Sequence, residues 1–226
     1  MTLCAGYRTL ISFVRRLGLT LILVSLLSPA TGRAQLVAVN LDTALGVVTL
    51  SDSRLTDSLL RQDSIRFYNP DGTVWYLFSF YYDDSDGRWA FPNSGFNPYA
   101  FSPDYFVLVL CVTRRNAQGY EVVVNTETGL RKWLPAAPYL QFQTWQQHLL
   151  TGFAVDFDST SNPLRAAPND RANLVLGPGQ HEVNWPLLVK GDWLKVGWGG
   201  ERPGHQSGWI RWRRGNLLVA GLFYLD

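Results

Sequence analysis

Short runs of apolar, aromatic and β-branched residues, separated by turn-forming residues, dominate the chain. Two such runs, Ile65 to Tyr68 and Thr73 to Tyr82, flank Asn69-Pro70-Asp71-Gly72 and predict a β-hairpin. Similar runs predict strands at residues 36–50, 105–113, 120–125, 130–134 and 183–189. The pattern therefore predicts an all-β fold.

Helix signals are few. Thr144 is an N-cap candidate for a short helix over Trp145 to Leu150. In residues 51–63, the leucines at 55, 59 and 60 have the spacing of a short amphipathic helix, and equally that of a loop with an apolar anchor. We expect one short helix connecting two β regions.

The last two long strands, which contain Trp193 and Trp209, place aromatic and basic residues together. Since strand residues alternate between faces, Leu194 and Val196 are predicted to point inward, and so are Ile210 and Trp212. The residues predicted near the surface, as a ligand-binding set, are Trp193, Trp198, Trp209 and Arg211. Aromatic rings with a forked guanidinium donor suit peptides, carboxylates or sugars. The alternative is that these tryptophans fill the core.

Three short motifs occur in order in the C-terminal third. They are Leu164-Arg165-Ala166-Ala167-Pro168, Trp193-Leu194-Lys195-Val196 and Gly208-Trp209-Ile210. In this order they resemble a bacterial SH3-type domain, although residues 199–207 form an unusually long connection and residues 169–189 match poorly. The resemblance implies an SH3-like small barrel over residues 162–226, of a kind that usually binds ligands and does not catalyse.

The remaining chain divides at Pro135-Ala136-Ala137-Pro138. We predict an N-terminal antiparallel β domain at 35–138 and a connector with the short helix at 139–161. Residues 119–133 share an aromatic-then-apolar order and a Gly-to-Trp spacing with residues 191–212. A second hypothesis is therefore that the N-terminal domain is another SH3-like barrel. The alternative is that β-hairpins with aromatic strands look alike.

Residues 1–34 have the organisation of a secretory signal peptide. Basic residues up to Arg16 precede the apolar run Leu17 to Leu27, and small residues follow. That run is shorter than the roughly 20 residues of a spanning helix, so we expect an exported protein, periplasmic or extracellular, without a membrane span. A retained membrane anchor is the alternative. Signal removal would take four of the 20 Lys and Arg residues and none of the 18 Asp and Glu, which changes the net charge from +2 to −2.

The sequence predicts no enzyme, metal or cofactor. Cys111 lies in an apolar strand and is interpreted as a core residue, and no spacing places His148, His181 or His205 beside it. Asp83 to Gly87 lacks the downstream glutamate of a calcium loop and is explained by a hairpin turn. The basic residues of 190–214 could bind single-stranded nucleic acid, but an exported protein rarely meets it, so nucleic acid is not expected as a partner.

These observations favour an exported, non-enzymatic binding or scaffolding protein of the bacterial cell envelope. Its expected partner is a peptide or a cell-wall polymer. The alternative is a cell-wall hydrolase, or an inactive relative of one, whose site would lie in the N-terminal domain.

Overall fold

The computed structural model describes residues 39–50, 64–78, 82–83, 88–89, 93, 95–102, 105–178, 183–200 and 206–224. These residues form many strands and one short helix, so the all-β prediction is confirmed. The predicted signal peptide and the segment 51–63 lie outside the described residues. Among the residues that are described, no helix has the length and apolar character needed to cross a membrane.

The largest sheet is antiparallel, and its strands are β1 (Gly46–Leu50), β2 (Ile65–Tyr68), β3 (Val74–Phe78), β6 (Ala100–Ser102), β7 (Val107–Asn116), β8 (Gly119–Asn125), β9 (Leu130–Pro135) and β10 (Leu140–Gln143). Their order in the sheet is β10-β1-β7-β8-β9-β2-β3, with β6 beside β7. In a separate two-stranded sheet, β4 (Tyr82–Asp83) pairs antiparallel with β5 (Arg88–Trp89), while the predicted turn at Asp86-Gly87 lies outside the described residues.

The Pro-Asp-Gly hairpin forms as predicted. β2 pairs antiparallel with β3, and the Asn69 N–H donates to the Thr73 carbonyl at 2.8 Å. Gly72 has a φ of +86°, which a residue with a Cβ adopts at a cost. Asp71 Oδ1 accepts from the Thr73 N–H and closes the turn.

The two faces of the large sheet have different surroundings. One face forms its own apolar core, in which Val48, Phe67, Leu110 and Val122 are fully buried. On the opposite face, Val47 of β1, Cys111 of β7 and Val123 of β8 pack in a second core shared with the C-terminal strands. The rest of this face, along β8, β9 and β2, carries half-buried Glu121, Trp133 and Tyr68 and exposed Arg131, and we call that part the open face.

The C-terminal region contains three small antiparallel sheets. β12 (Trp185–Lys190), β13 (Trp193–Trp198) and β14 (Gln206–Arg211) form one, β11 (Ala154–Asp156) pairs with β17 (Gly221–Phe223), and β15 (Arg213–Arg214) pairs with β16 (Leu217–Leu218). Arg165 forms bridges to both Trp209 and Leu174. The segment that opens the SH3-like resemblance therefore pairs with the strand that ends it.

The second core includes residues from both predicted domains. Val47 and Cys111 pack in one cluster with Leu194 and Trp212, and residues 33–226 form one compact unit. The domain limits at 138 and 162, the closed barrel and the second SH3-like barrel stay predictions. The packing nevertheless continues across both limits.

Helix α1 (Trp145–Leu149) begins where the sequence predicts. The Thr144 hydroxyl accepts from the Gln147 N–H, and the Gln147 side chain accepts from the Thr144 N–H, which completes a capping box. Trp145 is buried and donates its indole N–H to the Ala44 carbonyl at 3.2 Å. The helix thus braces the large sheet as well as connecting the two regions.

Candidate binding surface

The inward face of the C-terminal strands matches the prediction. Leu194, Val196 and Ile210 are fully buried, and Trp212 is 1% exposed. The Trp212 indole N–H donates to the Gly191 carbonyl at 2.8 Å, which satisfies its polar edge inside the core.

Two tryptophans that were expected near the surface are buried. Trp198 is 1% exposed because it lies two and four residues after Val196 and Leu194 and so shares their inward face. Its indole N–H donates to Gln206 Oε1 at 2.9 Å. Trp193 is on the other face but is only 7% exposed, because the Arg211 guanidinium lies 4.5 Å from its ring centroid. The predicted surface position of both tryptophans is wrong.

The guanidinium group of Arg211 forms hydrogen bonds with another residue of the protein. Its Nε and Nη2 donate to the two carboxylate oxygens of Asp170 at 3.1 and 2.5 Å, and its Nη1 lies 3.8 Å from Asp192. The hydrogen bonds from Arg211 lower the pKa of Asp170. Of the four predicted ligand residues, only Trp209 keeps a half-buried side chain without such an ion pair. The ligand-binding role of these four residues stays a prediction. They do not share the exposed face on which that prediction was based.

Cys111 and His148 are both part of the core. Burial raises the pKa of the Cys111 thiol to about 12 and lowers the pKa of His148 to about 4. The neutral His148 ring donates from Nδ1 to Gln143 and accepts at Nε2 from the Tyr224 hydroxyl, both at 2.8 Å. At neutral pH the Cys111 thiol is therefore protonated, and both ring nitrogens of the His148 imidazole are hydrogen-bonded. His181 and His205 lie outside the described residues, and the described residues contain no cluster of metal-ligating side chains.

The open face carries a concave site that was not predicted from the sequence. A cavity of about 460 Å³ lies between the β2–β3 turn and β9, and we call it the sheet groove. Its lining residues are Tyr68, Asn69, Pro70, Gly72, Arg114, Glu121, Arg131, Lys132, Trp133 and Pro135. Its volume lies within the usual range of small-molecule sites.

Strand pairing brings these residues together. Trp133 is directly opposite Tyr68 on one side and Glu121 on the other, so all three lie on the open face. Lys132 Nζ donates to Asn69 Oδ1 at 2.8 Å and lies 5.1 Å from the Trp75 ring centroid. These contacts hold the turn against β9 and fix the width of the groove.

Cations outnumber acids in the sheet groove. Arg114, Arg131 and Lys132 line it, and Glu121 is the single acidic lining residue. Glu121 is held by Thr113 Oγ1 at 2.7 Å and by Arg114 Nη2 at 3.1 Å, whereas Arg131 Nη1 lies 3.9 Å away. The Arg114 and Arg131 side chains are 71% and 48% exposed. Exposed ion pairs of this kind contribute about 1 kcal/mol or less, so the arginines can exchange partners readily.

The sequence does contain one signal of the sheet groove, namely the period-two pattern in the predicted strand 130–134, which puts Arg131 and Trp133 on one face.

Comparison of the chain with models of known protein families, with curated proteins and with solved structures found no match. The functional interpretation therefore rests on the geometry of the chain itself.

Proposed function

We propose that the protein is an exported, non-enzymatic binding protein of the bacterial cell envelope, whose ligand is a peptide or a cell-wall polymer. The observation that carries the proposal is the sheet groove, in which the half-buried side chains of Tyr68 and Trp133 lie beside three cations. Aromatic rings offer rigid contact area, and arginines offer forked donors for carboxylates or phosphates. The arrangement of residues 1–34 motivates the proposed export.

The C-terminal strands support the proposal through their resemblance to a binding module, and not through the exposed aromatic face that the sequence predicts. The SH3-like resemblance names a class of binding module, but Trp193 and Trp198 are buried and Arg211 is paired with Asp170. Trp209 is the residue through which that region could still contact a ligand. The sheet groove is the better supported contact surface.

The first experiment is co-sedimentation of the purified protein with insoluble cell-wall sacculi. We expect saturable binding that Trp133→Ala reduces at least tenfold, with Trp209→Ala as the variant that reports on the C-terminal region. Circular dichroism and thermal melting confirm that each variant is folded. Absence of wild-type binding to sacculi and to their soluble fragments would overturn the proposal.

The alternative is a cell-wall hydrolase, or an inactive relative of one, with its site in the N-terminal region. No particular observation favours it, since Cys111 is buried with a raised pKa and both ring nitrogens of His148 are hydrogen-bonded. The same sedimentation assay tests it, because a hydrolase releases soluble fragments from the sacculi with time. Such release, abolished by a substitution in residues 35–138, would replace the binding proposal by the alternative.

A further inference from the structure

Arg131 lines two cavities on the same side of the large sheet. The first is the sheet groove, and the second has about 290 Å³. The second cavity is lined by Val39, Asn40, Thr43, Ala44, Cys111, Thr113, Val123, Thr126, Gly129 and Arg131. Because Val123 pairs directly with Arg131 across β8 and β9, the two cavities adjoin on neighbouring strands.

The two cavities offer different chemistry on either side of that arginine. The sheet groove supplies two aromatic side chains, Tyr68 and Trp133, and an excess of positive charge. The second cavity is lined by the hydroxyl and amide side chains of Thr43, Thr126 and Asn40, which we call its polar rim, and by apolar residues such as Val123. The combined site is therefore elongated, amphipathic and cationic at its centre.

We propose that this elongated site binds a strand of an acidic polysaccharide, with a sugar carboxylate at Arg131 and sugar rings in the two cavities. The inference rests on the proposed function, and it names the ligand class of the same groove. The sugar faces would pack on Trp133 and Tyr68, while hydroxyl groups would bond the polar rim of the second cavity.

Charge complementarity selects an anionic ligand. Within the described part of the chain, the only ion pair of the Arg131 guanidinium is the 3.9 Å contact with Glu121, which is longer than a hydrogen bond. The side chain is 48% exposed, so its guanidinium can offer a carboxylate two N–H donors in a bidentate arrangement. Arg114 adds a second cation at 71% side-chain exposure.

The aromatic and hydroxyl-bonding surface favours a sugar polymer over an acidic peptide. A polyglutamate strand would satisfy the cations equally well, but it presents no ring face to Trp133. The alternation of an aromatic platform, a cation and a polar rim matches a chain of rings that carry both carboxylate and hydroxyl groups.

The test is a calorimetric titration of the purified protein with three probes: oligomers of polygalacturonic acid, dextran oligomers of similar length, and oligoglutamate. We expect saturable binding of polygalacturonate, at least tenfold weaker binding of the other two, and a marked weakening of polygalacturonate binding at high salt.

Arg131→Gln and Arg115→Gln form the matched pair of variants. Arg115 is an exposed arginine in β7 that pairs with Tyr120 and packs over the Phe142 ring at 4.0 Å, on the opposite side of the sheet. We expect Arg131→Gln to weaken polygalacturonate binding at least tenfold and Arg115→Gln to leave it within twofold. Equal losses in both variants would show general charge attraction and overturn the proposal.

The remaining outcomes separate this inference from the proposed function. If oligoglutamate binds as tightly as polygalacturonate, the ligand is an acidic peptide and the polysaccharide inference is wrong. If dextran or sacculi bind through Trp133 while polygalacturonate does not, the protein is a binding protein but the acidic-glycan inference is wrong. If neither sacculi nor any probe binds, both proposals fail.

Discussion

Leu164 packs directly on Gly208, so that a Cβ at position 208 would lie 2.8 Å from Leu164 Cδ2. These residues belong to the first and last of the three motifs that resemble an SH3-type domain. The backbone bonds between Arg165 and Trp209, at 2.8 and 2.9 Å, hold the two segments at this separation. A side chain at position 208 would therefore force the buried leucine to move.

Gly208→Ala should destabilise the protein by about 1–3 kcal/mol, because the added methyl overpacks a site where Leu164 is only 4% exposed. The measurement is the free energy of unfolding in urea. A double-mutant cycle with Leu164→Ala is the control, since removal of the leucine should relieve most of the cost of Gly208→Ala. Strictly additive effects would show that the close contact is not the cause.

Arg211→Ala should lower the melting temperature more than Asp170→Asn does. The first substitution removes both the ion pair and the cover of the Trp193 ring, whereas the second removes only the ion pair. Differential scanning calorimetry of the two variants makes the comparison. If instead Arg211→Ala left stability unchanged and abolished sacculus binding, the residue would be a ligand contact, as the sequence interpretation proposed.

Acid should destabilise the protein through His148. Its pKa falls from an ordinary 6.5 to about 4 on folding because burial disfavours the charged ring. The unfolded chain therefore binds a proton that the folded chain does not between these values. The stabilisation is complete above pH 6.5 and decreases as the pH falls towards 4, by about 3 kcal/mol in total. Urea unfolding at several pH values measures the loss.

The groups packed around His148 do not titrate in this window. Tyr99 and Tyr224 have pKa values raised by burial, and Gln143 and Trp145 carry no charge. His148→Gln is the control, because it should flatten the pH dependence between 6.5 and 4 while lowering stability at pH 7. An unchanged slope in this variant would assign the acid sensitivity to carboxylates elsewhere.

Cys111 should resist thiol reagents in the native protein. With a pKa raised from 9.0 to about 12, the thiolate fraction at pH 8 falls by about 1000-fold, and the side chain is only 2% exposed. Iodoacetamide labelling followed by peptide mapping separates Cys111 from Cys4. Labelling at Cys111 should require denaturant, and rapid native labelling at pH 8 would contradict the buried position.

Local patterns predicted the parts of the fold that depend on neighbouring residues. The turn at Asn69 to Gly72 and the capping box at Thr144 each involve side chains within four residues of one another. Such signals are present in the sequence itself because turn and cap chemistry is local. The burial of Trp198 follows equally from its alternation with Val196 along β13, which places both side chains on the inward face.

The sheet groove depends on pairing between distant strands. Lys132 and Asn69, which join its two walls, are 63 residues apart, and no local pattern specifies that β9 lies beside β2. The pairing of Arg211 with Asp170 is similar, at a separation of 41 residues. A basic residue in an outward strand position is therefore identifiable from sequence, but whether it faces solvent, a ligand or an internal acid is decided by tertiary structure.

The bond from the Leu41 N–H to the Asn216 carbonyl, at 2.7 Å, and the bridge between Asn40 and Leu217 have a consequence for synthesis. These segments are 176 residues apart in the chain, and both flank the second core. During translation, the second core therefore cannot close until almost the whole polypeptide has been synthesised, whereas the first core needs only residues up to about 142.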